Sequence, residues 1–155
     1  MLLTSHRRIS PLPPPLIIIL ESLLCVTDVT PLLCIGESLK EYGNGETYNV
    51  CIDEIDKAFI GNDNLDKIIV VYEPIWAIGS GTTPTVDFIE NHVTRIKKYV
   101  NNKYGFDIKV LYGGSVGEDN FQQLSRISTI DGFLVGGNSL NIDVVKKMIN
   151  INKGV

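Results

Sequence analysis

The sequence predicts an α/β fold in which short parallel strands alternate with covering helices. Three observations carry that prediction. Four short apolar runs recur, at Pro31 to Ile35, Ile68 to Tyr72, Ile108 to Tyr112 and Phe133 to Val135. Their apolar residues are consecutive rather than alternating, which is the pattern of a strand buried on both faces. After each run comes a Gly-containing turn, followed by a stretch with helical spacing.

Residues 1–29 precede this pattern and hold four of the seven prolines, Pro11, Pro13, Pro14 and Pro15. Proline fixes φ and removes a backbone donor, so no helix or strand period survives there and the segment reads as an arm of unknown structure. The repeating pattern occupies residues 30–155. The first run leads to a helix on which Tyr48, Ile52, Ile55 and Phe59 fall at i, i+4, i+7 and i+11. After the second run, Ile89, Val93, Ile96 and Val100 repeat that spacing. His92 lies in this helix and is read as a surface residue. The third unit is short, with a helix around Glu118 to Ser125, and a final helix runs from about Asp143 to Ile151. No fifth unit is found.

Composition narrows the function classes. With 44% hydrophobic and 21% charged residues, the chain suits one soluble, packed core. A net charge of -4 disfavours nucleic acid and anionic membrane surfaces and leaves small molecules as the expected partners. The three cysteines, Cys25, Cys34 and Cys51, form no CxxC pair, so neither a disulfide framework nor a zinc site is expected and a cytoplasmic, reducing setting fits. The apolar run Leu16 to Leu20 stops at Glu21, too short for a membrane span, and no targeting segment is expected.

Chemistry concentrates where the strands end, at Gly36-Glu37, Glu73, Gly113-Gly114-Ser115 and Gly136-Gly137. In parallel α/β folds these carboxyl ends share one face, where ligands bind. The glycine pairs in YGGSV and VGGNSL allow backbone N–H groups to approach an anion, with Ser115 adding a hydroxyl; the alternative is a pair of tight strand-to-helix turns. Glu73 likewise has two readings. A lone Glu at a strand end is commonly solvated or salt-bridged, whereas a carboxylate under a closing apolar lid is shielded from water and becomes a better base. Pro74-Ile75-Trp76 has the form of a leading hinge, Ala77-Ile78-Gly79 of a small tip and Ser80 to Thr85 of a trailing hinge.

Four blocks, LLCIGE, VVYEPIWAIGSG, VLYGGSV and DGFLVGGNSL, in this order and at these separations, resemble triosephosphate isomerase from about Thr30 to the C-terminus. The resemblance implies half of a (β/α)8 TIM barrel. It also implies interconversion of glyceraldehyde 3-phosphate and dihydroxyacetone phosphate in glycolysis, with Glu73 as the base that shuttles a proton through an enediolate. A glutamate base working under a closing lid is an established property of that family, carried over here by the resemblance. Gly79, Ser115, Gly136 and Gly137 would supply N–H groups to the substrate phosphate. Cys34 would pack beside the base, Glu37 would play a supporting part and Tyr112 would latch the lid through its hydroxyl. No metal or organic cofactor is implied.

Departures from the family pattern shape a second set of expectations. A full barrel takes about 250 residues, and the resemblance covers the last four strand-helix units. The family's lysine near the first strand and the histidine of its Gly-His-Ser-Glu motif find no counterpart. Only SHRRIS, Ser5 to Ser10, is similar to that histidine motif, and its His6 stands three residues too close to Glu37 and lacks the flanking Gly and Glu. Pro84 occupies a position where the family offers a backbone N–H to the latch tyrosine, and Asn138 one where small residues are common. The expectation is a truncated isomerase, inactive alone and without the family's usual homodimer interface. The alternative is a non-catalytic phosphate-binding half-barrel or a degenerate remnant.

Overall fold

The computed structural model describes residues 2–3, 29–61 and 65–153. Most of the Pro-rich arm, with His6 and Cys25, lies outside the described residues. Five strands form one parallel sheet in sequential order: β1 (Leu2–Leu3), β2 (Leu32–Ile35), β3 (Ile69–Tyr72), β4 (Lys109–Tyr112) and β5 (Gly132–Phe133). The helices are α1 (Leu39–Gly43), α2 (Thr47–Phe59), α3 (Val86–Tyr104), α4 (Glu118–Leu124) and α5 (Ile142–Lys153). The four strand-helix units read from the sequence are all present. β1 is an addition that the arm's composition concealed: Leu2 and Leu3 pair with Leu32 and Leu33 and so occupy part of the outer edge of β2. At the other end, β5 has one neighbour, β4, among the described residues.

Strand register decides which side chains meet the helices. Ile35, Tyr72 and Tyr112 align across β2, β3 and β4, as do Leu33, Val70 and Val110, and these residues belong to the core under the helices. α2 brings Cys51, Ile55 and Phe59 to that core and α3 brings Ile89, Val93, Ile96 and Val100, the stripes their spacing predicts. Successive strand residues face opposite ways. Cys34, Val71 and Leu111, which also align, therefore face away from the helices, and the positions one step past the strands that share their face are Gly36, Glu73 and Gly113.

The strand ends are held level by bonds that continue the ladder. Glu73 donates to Ile35 at 2.8 Å, Gly113 to Tyr72 at 2.9 Å and Leu134 to Tyr112 at 2.9 Å, all through backbone N–H groups. Helix starts follow local capping chemistry. Ser38 and Glu41 form a capping box that opens α1, and the Thr85 hydroxyl accepts from the Phe88 N–H at the start of α3. α3 ends at Gly105, whose φ of 81° is the left-handed conformation of a helix C-terminus. No described helix is long and apolar enough to cross a membrane.

Candidate active site

Glu73 follows the last residue of β3 and is 9% exposed. Its side chain fills a slot between the two neighbouring strand ends. On the β4 side, a Cβ at Gly113 would lie 2.7 Å from both Cγ and Oε1 of Glu73, so the carboxyl group rests directly on the Gly113 backbone. On the β2 side, a Cβ at Gly36 would lie 1.9 Å from the Glu73 carbonyl oxygen, so those two backbones touch. Glycine at each position is thus a packing requirement. Cys34, one register step below, is 1% exposed and makes a thiol hydrogen bond to Glu73. Burial, then the Glu73 charge and that bond push the thiol up to about 12. Such a thiol is inert at neutral pH and serves to pack and orient the carboxylate.

The segment after Glu73 is clasped at both ends. At its start, Trp76 Nε1 donates to Glu37 Oε1 at 2.9 Å, the Tyr72 hydroxyl donates to the same carboxylate at 3.2 Å, and the Ile75 N–H donates to the Glu37 carbonyl at 3.0 Å. Glu37 is fully buried, and burial raises its carboxyl above the usual range against the bonds from Trp76, its own backbone and Tyr72. Aromatic rings continue this clasp into the core: Trp76 meets Tyr42 at 4.7 Å between centroids, Tyr42 meets Phe88 at 5.1 Å, and Phe88 stacks on His92 at 5.9 Å. At the other end Ser115 takes hold. Its hydroxyl donates to the Ala77 carbonyl and accepts the Gly81 N–H at 3.3 Å. Ser115 has a φ of 49°, the one positive value among the described non-glycine residues, so the backbone is bent to present it. Between these clasps Ile78 and Gly79 are exposed, as a lid tip requires.

Two expectations are corrected by this geometry, and a third residue makes no bond here. The Tyr112 hydroxyl is buried without a hydrogen-bond partner among the described residues, and the bonds to Ala77 and Gly81 come from Ser115. Burial and then the Glu37 charge raise the Tyr112 hydroxyl further. His92 is not a surface residue. It is 4% exposed, because position 92 falls on the buried stripe of α3 beside Ile89, Val93 and Ile96. Burial, then Arg95, lowers its imidazole to about 4, so it is neutral and sits against Tyr72 at 4.5 Å between ring centroids. Asn138 does more than replace a small residue. Its amide donates to the Val116 carbonyl at 2.8 Å and ties the turn after β5 to the loop after β4. That tie brings the loop of Gly136 and Gly137 to the loop of Ser115.

The two glycine pairs differ in kind. Gly113 and Gly114 are demanded by contacts, with Glu73 and with the Tyr112 hydroxyl, whereas a Cβ at Gly136 or Gly137 would meet nothing within 4 Å. The latter pair faces open space. None of the backbone N–H groups of Gly79, Ser115, Gly136 and Gly137 donates to another described residue. These uncommitted donors lie on the clasped segment and on the loops after β4 and β5, at the strand ends where the Glu73 carboxylate also stands; free backbone donors suit an anion and a buried carboxylate suits a base.

Comparison with known proteins bears directly on this site. The family model described as triosephosphate isomerase matches residues 22–152. The chain belongs to the triosephosphate isomerase family. It is 42% identical over 125 residues to the triosephosphate isomerase of Buchnera aphidicola subsp. Baizongia pistaciae, covering 77% of this chain and 50% of that protein. It is 39% identical over 125 residues to that of Mycoplasmopsis agalactiae, covering 81% and 46%. For Blochmanniella floridana the identity is 35% over 143 residues, covering 86% and 53%. The chain spans about half the length of the curated relatives it matches. Within that half, the parallel strand-helix units of a partial triosephosphate isomerase barrel are all in place.

Proposed function

We propose that this chain supplies the catalytic base and the phosphate-holding end of a triosephosphate isomerase, acting on glyceraldehyde 3-phosphate and dihydroxyacetone phosphate. The observation that carries the proposal is the Glu73 carboxylate, buried at a strand end between Cys34 and Gly113 and beneath the segment that Glu37 and Ser115 clasp. In this reading Glu73 removes a proton from one carbon of the triose and returns it to the neighbouring carbon through an enediolate. The uncommitted N–H groups of Gly79, Ser115, Gly136 and Gly137 take the phosphate, and the lid tip closes over it.

A base alone is insufficient. The enediolate oxygens need donors, and loss of one oxyanion donor typically costs about 100- to 1,000-fold in rate. His92, the one histidine among the described residues, is buried in the aromatic core under the helices, so it does not serve that role. We therefore propose that turnover requires the family's first four strand-helix units together with the four described here, and a fragment carrying those units supplies them in the test. Purified chain would be assayed with glyceraldehyde 3-phosphate, alone and with such a fragment, beside Glu73→Gln. Turnover appearing only in the mixture and lost in the variant supports the proposal. Turnover that Glu73→Gln leaves untouched refutes it.

A further inference from the structure

Glu54 lies on α2, half-buried, and no sequence motif singles it out. Its Oε2 accepts the Gly36 N–H at 2.9 Å. None of the ion pairs among the described residues includes it. The charged groups that face it are acidic: Glu41 from α1, Asp53 from its own helix and Glu37 from the loop after β2, with the Cys51 thiol close by. A half-buried carboxylate with carboxylates around it is costly, so its one contact with the site is informative.

That contact is at the crowded end of β2. The Gly36 backbone touches the Glu73 carbonyl, with no room for a Cβ, and its neighbour Glu37 holds Trp76, Tyr72 and the Ile75 N–H. We propose that Glu54 is a positioning residue for the lid: by holding the Gly36 N–H it fixes Gly36 and Glu37 against the Glu73–Pro74 peptide, and so sets where Glu37 meets Trp76. An ionised carboxylate accepts that N–H in a charge-assisted bond, roughly twice as strong as the bond to a neutral acid. Protonation of Glu54 therefore loosens the leading hinge. Burial, opposed by the Gly36 bond and reinforced by Glu41, Asp53 and Glu37, raises the Glu54 carboxyl to about 7, which places the change in the neutral range. The inference rests on reading residues 74–85 as the lid, but its test needs no turnover and so fails separately from the isomerase reading.

Trp76 is the chain's single tryptophan, which makes its indole N–H a unique reporter. The Gly36 amide and the Trp76 indole N–H would be followed by NMR across neutral pH in the wild type and in Glu54→Gln. In the wild type both signals move together with a midpoint near 7. In Glu54→Gln the Gly36 amide becomes flat and the Trp76 signal loses that step, while the amide side chain still accepts the Gly36 N–H and keeps the fold. Selective 13C labelling of wild-type glutamate carboxyls gives a second readout that does not depend on the variant: the Glu54 carboxyl titrates with the Gly36 amide. A flat wild-type Gly36 signal, a Glu54 carboxyl with a different midpoint, or a Trp76 step that survives Glu54→Gln overturns the proposal.

Discussion

Gly113→Ala tests how the proposed base, Glu73, is held. The added Cβ would lie 2.7 Å from both Cγ and Oε1 of Glu73, about 0.7 Å short of the 3.4 Å at which ordinary contact begins. The Gly113 backbone cannot retreat, because its N–H is bonded to the Tyr72 carbonyl at 2.9 Å in continuation of the ladder. Glu73 cannot slide toward β2 either, where its carbonyl already abuts Gly36. The overlap is therefore relieved by rotating the Glu73 side chain out of its slot and away from Cys34. Overpacking of this kind costs about 1–3 kcal/mol of stability. Displacing a catalytic group by about 1 Å costs on the order of 100-fold in rate. Urea unfolding of the purified variant reads the first quantity, and turnover of glyceraldehyde 3-phosphate in the presence of a complementary half-barrel fragment reads the second. Stability and turnover both equal to wild type would show that Gly113 does not cradle the base, and the reasoning would fall.

Three further outcomes follow from particular contacts. Gly137→Ala meets no atom within 4 Å, so stability should stay within about 0.5 kcal/mol of wild type while the backbone amide shifts caused by inorganic phosphate weaken; equal shifts in variant and wild type would return Gly136-Gly137 to a plain turn. Asp56 accepts from Tyr99, Tyr104 and Lys103 and joins α2 to α3; burial raises its carboxyl, but these bonds outweigh it and hold the group below 3.8. That stabilisation is present above pH 3.8 and is lost as pH falls through the lowered native value, so acid unfolding of Asp56→Asn should lack this step, and an unchanged acid transition would contradict the assignment. Cys34 and Cys51, buried and with raised thiols, should resist iodoacetamide in the native chain and react when unfolded, as read by mass spectrometry of their peptides; native labelling at the unfolded rate would place Cys34 away from Glu73.

The sequence displays this fold because its strands announce themselves by consecutive apolar residues and its helices by one stripe each. β3 and β4 begin within a residue of the predicted runs, at Ile69 and Lys109, and α2 and α3 carry the predicted stripes. α1 leaves a trace in Ser38-x-x-Glu41, a capping box, but five residues give no period to read. Leu2–Leu3 was not legible, because two residues pair only when a partner edge is present. Within the site, Glu73, the glycines and the lid were visible as local motifs. The bonds that organise them were not: Trp76 to Glu37 spans 39 positions, Asn138 to Val116 spans 22, and Glu54 to Gly36 spans 18. His92 misleads because its polarity outweighs its position, which lies between Ile89 and Val93 on the buried face of α3.

Proton transfer by Glu73 is the central claim, and solvent exchange measures it without waiting for a full turnover. Dihydroxyacetone phosphate would be incubated in deuterium oxide with the chain and a fragment carrying the first four strand-helix units, and deuterium at the carbon beside the carbonyl followed by proton NMR. A base that takes a carbon-bound proton and exchanges it with solvent returns deuterium to that carbon. The account predicts incorporation that depends on both chains, fades in Gly113→Ala and vanishes in Glu73→Gln. Incorporation that persists at the wild-type rate in Glu73→Gln, or a mixture that incorporates none, would contradict it.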